Sequence, residues 1–253
     1  MLRISRKALK NIIFGIILTS LPSLATAATV FVYDDTTDWV SDGNSGGGSS
    51  AITGTEAKDG NGSLELYGDR TRFYGLGDPY AVSGGLAPLS LLASATFDWM
   101  IATDSTSALH EDYSPALRIH VRDGDTFYEL IWEAAYNGLY GSVDEGVWYT
   151  SGADDNFWLW QVGLGDAGIY NRSISDWIDV LFTDDAMITS VSVGAGSSAG
   201  SGYHAFADNV TLAGVEGGST TFNFEISEVP APPALLLLGI GLIVLGLRRK
   251  SQN

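Results

Sequence analysis

The chain has 253 residues, no cysteine, and 30 acidic against 13 basic side chains, which gives a formal net charge of −17. The absence of cysteine excludes disulfide bonds and thiolate chemistry. The acidity excludes nucleic acid and anionic lipid surfaces as partners of the folded body, because like charges repel.

The first 27 residues have the three parts of a secretory signal peptide. A basic start is followed by an apolar run over residues 12–24 and by the small-residue motif Ala25-Thr26-Ala27. An uncleaved anchor helix is the alternative, but Pro22 and the position of the Ala-x-Ala motif favour cleavage after Ala27. We therefore expect signal peptidase to remove residues 1–27 and the rest of the chain to be exported.

Residues 28–227 contain short alternating or apolar runs, separated by clusters of glycine, serine, aspartate and asparagine. This pattern is typical of an all-β antiparallel sandwich or jelly roll. The length is within the range of one sandwich, so we expect a single domain over 28–227. In chain order, the predicted strands lie within residues 29–33, 62–68, 94–102, 116–132, 146–151, 156–163, 187–194, 207–214 and 220–226.

Residues 116–132 predict a β-hairpin around Asp123-Gly124, which is a strong signal for a two-residue turn. A register counted outward from that turn places charged and polar side chains on one face and the apolar residues on the other. We expect the polar face to be wet and to hold His120 as an outward-facing residue. The predicted pairs on it are Arg122 with Asp125, His120 with Phe127, and Arg118 with Glu129.

Residues 156–163 place Trp158 and Trp160 on the same face of one predicted strand. If that face is wet, two coplanar indoles would form a platform on which sugar rings stack. The alternative is that packed layers cover both faces of the strand.

One short helix is predicted after Ser173. Apolar residues from Ile174 to Leu181 recur at i, i+3, i+4 and i+7, and Asp176 takes the place of the usual glutamate in a capping box.

Catalytic patterns are weak in this chain. Residues 196–200 have the spacing of a nucleophile elbow, but the residues after them predict a strand instead of the required helix. The histidines, His110, His120 and His204, lack the spacing of a zinc site. Adjacent acidic residues are so frequent that none stands out as an acid–base pair for glycoside hydrolysis. We therefore expect no enzymatic activity.

Structural calcium is the one cofactor that the acidity suggests. All 30 acidic residues lie between Asp34 and Glu228, whereas 7 of the 13 basic residues lie in the two ends, so the body together with Glu228 has a formal charge of −24. Oxygen ligands from loops and strand ends suit calcium. In calcium-stabilised jelly rolls the first and last strands approach each other, so Asp34, Asp35 and Asp208 are the candidate ligands. The alternative is that Asp208 hydrogen-bonds a turn.

The C-terminal residues 228–250 combine a proline motif, an apolar run and a basic cluster. Val229-Pro230-Ala231-Pro232 precedes a predicted hydrophobic helix over 234–247, and Arg248, Arg249 and Lys250 follow it. The helix would span about 21 Å, less than the roughly 30 Å of a hydrocarbon core. A tail anchor with snorkelling arginines and local thinning of the bilayer is the alternative. In both cases the basic cluster stays on the cytoplasmic side.

This three-part tail resembles the PEP-CTERM sorting signal, which exosortase-type transpeptidases process, although Ala231 stands where such signals usually carry glutamate. Residues 59–69, 200–214 and 220–225 are also similar to phrases in PEP-CTERM proteins with jelly-roll bodies. The resemblance implies a Gram-negative host, transient anchoring in the inner membrane, processing near the proline motif, and a final place at the cell surface or in the extracellular matrix. Such hosts typically make an exopolysaccharide or biofilm matrix.

These features predict an exported surface or matrix protein, structural in its role, that is associated with exopolysaccharide. The alternative is a carbohydrate-binding module whose saccharide site includes Trp158 and Trp160. An exopolysaccharide hydrolase is a third hypothesis, which lacks an identifiable acid–base pair.

Overall fold

The computed structural model describes residues 27–109, 113–139 and 141–227. The predicted signal peptide over residues 1–27 lies outside the described residues except for Ala27. The predicted sorting signal over 228–250 also lies outside them. Within them, fifteen strands form two sheets of seven and eight strands. Among the described residues, no helix is both long enough and apolar enough to cross a membrane.

Sheet A is the seven-stranded sheet, in which β14 pairs with β7 along one side and with β4 and β15 along the other. Its strands are β1 (Ala27–Tyr33), β3 (Ser49–Thr53), β4 (Ser63–Tyr67), β7 (Ser94–Ile101), β10 (Tyr149–Thr150), β14 (His204–Ala213) and β15 (Ser219–Glu225). The first strand pairs with the last, as expected for a jelly roll. That pair is parallel, whereas the other strand pairs of the two sheets are antiparallel.

Sheet B is the eight-stranded sheet, with the order β12-β11-β9-β8-β13-β5-β2 and with β6 also paired to β13. Its strands are β2 (Trp39–Val40), β5 (Phe73–Gly75), β6 (Ala87–Pro88), β8 (Ala116–Asp123), β9 (Thr126–Trp132), β11 (Trp158–Gln161), β12 (Gly165–Asp166) and β13 (Met187–Gly194). Three 3₁₀ turns, at Leu89–Leu91, Ala134–Asn137 and Val215–Gly217, and one α-helix, α1 (Ile174–Val180), complete the described elements.

The inner faces of the two sheets pack against each other and form the core. Trp99 of sheet A and Trp132 of sheet B lie with ring centroids 5.9 Å apart, and both indoles are buried. Alternate residues of β8 continue the same layer. They are Leu117, Ile119 and Val121, each fully buried. The all-β sandwich predicted from the alternating runs is therefore confirmed.

The β8–β9 hairpin has the predicted faces but a different register. Asp123 pairs with Thr126, so the two-residue turn is Gly124-Asp125 and not Asp123-Gly124. Gly124 has φ +59°, which suits the first position of a type II′ turn, where glycine is the favoured residue. The observed register differs from the predicted one by two residues on β9, and the pleat repeats every two residues. The polar face therefore keeps its residues, while His120 now lies opposite Glu129 instead of Phe127.

The predicted helix and its cap are confirmed. Ser173 Oγ accepts from the Asp176 backbone N–H at 3.2 Å, and the Asp176 carboxylate accepts from the Ser173 backbone N–H at 3.0 Å. A complete capping box therefore forms although aspartate replaces the usual glutamate. The Trp177 indole N–H donates to the Phe157 carbonyl at 2.6 Å, which fixes the helix beside the start of β11.

Candidate functional site

Alternate residues of sheet B point away from the core and form two rows across its outer face, because cross-strand partners share a face. The first row contains Tyr74, Ser192, Arg118, Ile131 and Trp158. The second row contains Ser190, His120, Glu129 and Trp160. Residues that are far apart in sequence thus form one continuous polar and aromatic surface.

A cleft of about 510 Å³ lies over these rows. This volume is within the roughly 300–1,000 Å³ range of small-molecule sites. The sheet contributes Arg118, Glu129, Ile131, Trp158 and Trp160 to it. The surrounding segments contribute Arg70, Arg72, Tyr113, Glu133, Tyr136, Gly196 and Ser197. These twelve residues define the cleft.

Both predicted saccharide-binding tryptophans line the cleft. Trp160 is 41% exposed, so the expectation that packed layers cover this face is wrong at that position. The two indoles are not coplanar, as they lie at 81° with centroids 6.4 Å apart. Trp158 is held by a hydrogen bond from its indole N–H to Glu133 Oε2 at 3.2 Å, and Trp160 is left as the open aromatic face.

Three arginines enter the cleft, and two are held by backbone carbonyls. Arg118 is 2% exposed, and its Nη1 donates to the carbonyls of Ala116 at 3.4 Å and Gly194 at 3.2 Å. Arg72 donates through Nη1 to the carbonyls of Thr71 at 2.9 Å and Ala195 at 2.8 Å. Among the described residues, none accepts a hydrogen bond from Nε or Nη2 of either guanidinium. Each guanidinium is therefore held in place through Nη1, while its Nε and Nη2 groups donate to no described residue.

The guanidinium of Arg118 is incompletely neutralised. Its Nε lies 3.7 Å from Glu129 Oε2, too far for a hydrogen bond, and this buried Nε has no hydrogen-bond partner in the described structure. Burial and the positive charge of Arg72 lower the pKa of Arg118 to about 10. Arg118 is charged at neutral pH, and an anion in the cleft would offset that charge.

His120 lies on the predicted face but is buried instead of outward-facing, with 1% of its surface exposed. Its Nε2 lies 2.9 Å from Ser192 Oγ, and Tyr74 packs over the ring with centroids 5.4 Å apart. Burial, followed by the positive charges of Arg118 and Arg72, lowers the pKa of His120 to about 3. His120 is therefore neutral at physiological pH and does not offset the charge of the arginines.

Two carboxyl groups line the cleft, those of Glu129 and Glu133. Glu129 lies in β9, and Glu133 follows that strand with extended backbone angles of φ −142° and ψ 143°. Four extended residues span roughly 13 Å between Cα atoms, and side chains at i and i+4 point to the same side. Burial raises the pKa of Glu133, which favours its neutral form.

The cleft also contains two tyrosines that are unsuited to act as bases. Burial, with a further contribution from the charge of Glu133, raises the pKa of Tyr113 to about 12. The Tyr113 hydroxyl donates to the Ser197 carbonyl at 2.5 Å, which ties the 196–200 loop to the cleft. Burial raises the pKa of Tyr136 as well. This loop holds Ser197 as a lining residue and continues into β14, as the sequence predicts.

The three candidate calcium ligands do not converge on one point. Asp34 is exposed, and its Oδ1 accepts from the Ser227 backbone N–H at 2.8 Å. Asp208 is fully buried, and its Oδ1 accepts from the Phe224 backbone N–H at 2.8 Å. These contacts lie three residues apart along β15 and its extension, which is about 10 Å. Asp35 is exposed, and among the described residues no group of three or more carboxylate, histidine or cysteine side chains could hold a metal ion.

The sequence analysis identified Trp158 and Trp160 but did not identify Arg70 and Arg72 as site residues. A usable signal was present, because the body between residues 28 and 227 has only six basic residues. They are Lys58, Arg70, Arg72, Arg118, Arg122 and Arg172. Three of these six line one cleft, and that convergence depends on the pairing of β5 and β8 with β13.

Comparison of the chain with protein-family models, with curated proteins and with solved structures found no match. The function is therefore argued from the geometry of the cleft and from the signals at the two ends of the sequence.

Proposed function

We propose that the chain is an exported surface or matrix protein whose β-sandwich binds saccharide in the cleft over sheet B. The observation that carries this proposal is the exposed indole of Trp160 beside Trp158 in a cleft of about 510 Å³. An exposed aromatic face at the edge of a polar cleft suits a sugar ring, which presents apolar C–H groups on one side and hydroxyl groups around its rim. Arginine and glutamate side chains are available to bind those hydroxyls.

Binding is favoured over hydrolysis by the fixed role of Glu133, which accepts a hydrogen bond from the indole N–H of Trp158. A binding role agrees with an export route in which signal peptidase removes residues 1–27 and an exosortase-type enzyme processes the tail near Val229 and Pro230. The exopolysaccharide of the host is then the natural partner.

The test is direct binding of the full chain to a panel of neutral and acidic oligosaccharides by calorimetry, in a detergent without a sugar headgroup. We expect Trp160→Ala to weaken binding at least about tenfold, because loss of one aromatic contact and its buried area costs on the order of 1.4 kcal/mol. Phe31→Ala is the matched control, since Phe31 is 55% exposed on sheet A and outside the cleft. Equal effects of the two substitutions, or no binding across the panel, would refute the saccharide site.

A further inference from the structure

The positive charge of the body is concentrated in the cleft. The body together with Glu228 carries a formal charge of −24, yet three of its six basic side chains lie among the twelve lining residues. Glu129 and Glu133 are the acidic residues in that set. Glu133 is neutralised in part by burial, which raises its pKa. The cleft is thus a positive site on a strongly negative molecule.

The arrangement of Arg118 and Arg72 indicates what this charge is for. Each guanidinium is anchored through Nη1 to two backbone carbonyls, so its position is set before any ligand arrives. Arg118 is 2% exposed, and its buried Nε has no hydrogen-bond partner among the described residues. Two like charges in one cleft repel each other, and a buried unpaired N–H is costly. An anion bound beside the two guanidinium groups would offset their repulsion.

The aromatic side of the cleft restricts what kind of anion fits. Trp160 lies directly opposite Glu129 on the neighbouring strand, in the same row as His120. The backbone of Trp160 in β11 therefore lies about two strand spacings, or roughly 10 Å, from that of β8, which carries Arg118. This distance matches a ligand in which a sugar unit stacks on the indole while an anionic substituent reaches the guanidinium.

We propose that the ligand of the cleft is an acidic saccharide, whose carboxylate is bound by Arg72 beside the positive charge of Arg118 while a sugar ring stacks on Trp160. This inference rests on the saccharide function proposed above and names the class of saccharide. The acidity of the remaining surface then has a complementary role, because it repels an anionic polysaccharide everywhere except at the cleft. At low ionic strength this long-range repulsion weakens binding of the polysaccharide unless one of its acidic units enters the cleft.

The test compares two probes that differ only in the carboxyl group. They are a hexamer of galacturonic acid and the galactose hexamer with the same linkages, which is its carboxyl-reduced counterpart. We expect the full chain to bind the acidic hexamer at least about tenfold more tightly than the neutral one, as measured by calorimetry at fixed ionic strength. Arg72→Gln should remove most of this preference, because the loss of its charge weakens binding of the acidic hexamer more than binding of the neutral one.

Arg72→Gln is preferred to a substitution of Arg118, because Arg72 is half-buried and Arg118 is fully enclosed. Lys58→Gln is the matched control: it removes one positive charge from an exposed position outside the cleft and should keep the preference intact. Near-ultraviolet circular dichroism of each variant checks that the fold is retained.

Equal binding of the two hexamers would overturn the inference and leave the saccharide function standing. Failure of both hexamers and of every other oligosaccharide in the panel would refute the saccharide function itself. A loss of preference in Lys58→Gln as large as in Arg72→Gln would also overturn the inference, because it would assign the preference to net charge and not to the cleft.

Discussion

Two buried carboxylates in sheet A show how differently the same chemical group can be accommodated. Glu65 is 8% exposed, and its Oε1 lies 2.9 Å from Nε2 of His204, whose Nδ1 contacts Asp104 at 2.5 Å. Asp208 is fully buried with Oδ1 bonded to two backbone N–H groups, while its Oδ2 has no hydrogen-bond partner among the described residues. The buried Oε1 of Glu65 therefore has a side-chain partner in His204, whereas Oδ2 of Asp208 has none among the described residues.

The Asp208 carboxyl predicts a pH dependence of stability. Burial raises its folded-state pKa to about 7 from a model-compound value of 3.8. Between these values the folded protein holds a proton that the unfolded chain has released, so stability falls as pH rises through this window and levels off above it. Relative to Asp208→Asn, the protein should lose about 3 kcal/mol of unfolding free energy between about pH 5 and about pH 8.

Urea denaturation of the protein and of Asp208→Asn at several pH values measures this difference, and Asp35→Asn controls for the loss of one surface charge.

The same series with added calcium tests the calcium hypothesis. If a cation bound Asp208, the stability difference between about pH 5 and about pH 8 would disappear with calcium and return with a chelator. Parallel pH profiles for the protein and Asp208→Asn would contradict the assigned pKa.

At the level of elements, the β8–β9 hairpin shows which part of a register can be predicted. The alternation of residues 116–132 determines which side chains share a face, and that prediction is confirmed. The turn type decides the pairing, and the sequence Asp123-Gly124-Asp125 allows glycine at either position of a two-residue turn. Some short strands, such as β3 and β5, were not predicted, because their pairing depends on distant partners more than on local pattern.

Two glycines in these elements predict different costs for the same substitution. A Cβ at Gly124 would meet nothing within 4 Å, so Gly124→Ala adds only the strain of φ +59°, on the order of 1 kcal/mol. A Cβ at Gly75 would lie 2.2 Å from the indole of Trp39, which is buried in the core. Gly75→Ala should therefore cost at least about 1–3 kcal/mol through overpacking, and more than Gly124→Ala.

Chemical denaturation of both glycine variants gives the comparison. A cost at Gly124 equal to or above that at Gly75 would contradict the predicted order of the two substitutions.

At the scale of the whole molecule, the cleft combines residues from five segments of the chain. Local pattern identified Trp158 and Trp160, which lie in one strand, and the charged face of the hairpin that carries Arg118 and Glu129. The contribution of Arg72 could not be predicted, because it depends on β5 lying next to β13, more than one hundred residues later in the sequence. The perpendicular arrangement of the indoles also follows from a distant partner, Glu133, which orients Trp158.

The division of charge along the chain leads to the last prediction. The body together with Glu228 has a formal charge of −24, and the basic cluster Arg248-Arg249-Lys250 closes a tail whose apolar run is about a third too short for a bilayer. We expect transient anchoring from a tail of this sequence, because the positive residues resist translocation and an apolar run this short would bind the membrane weakly. Deletion of residues 229–253 should therefore release a folded body into the medium and abolish surface retention. Cell fractionation followed by intact-mass measurement gives the result, with Phe31→Ala in the full chain as a control for export itself.

The mass of the retained protein decides between the two mechanisms of anchoring. A surface form without residues 1–27 and without the basic cluster supports processing near Val229 and Pro230, whereas a stable surface form that still carries Arg248 to Lys250 would establish a permanent tail anchor instead.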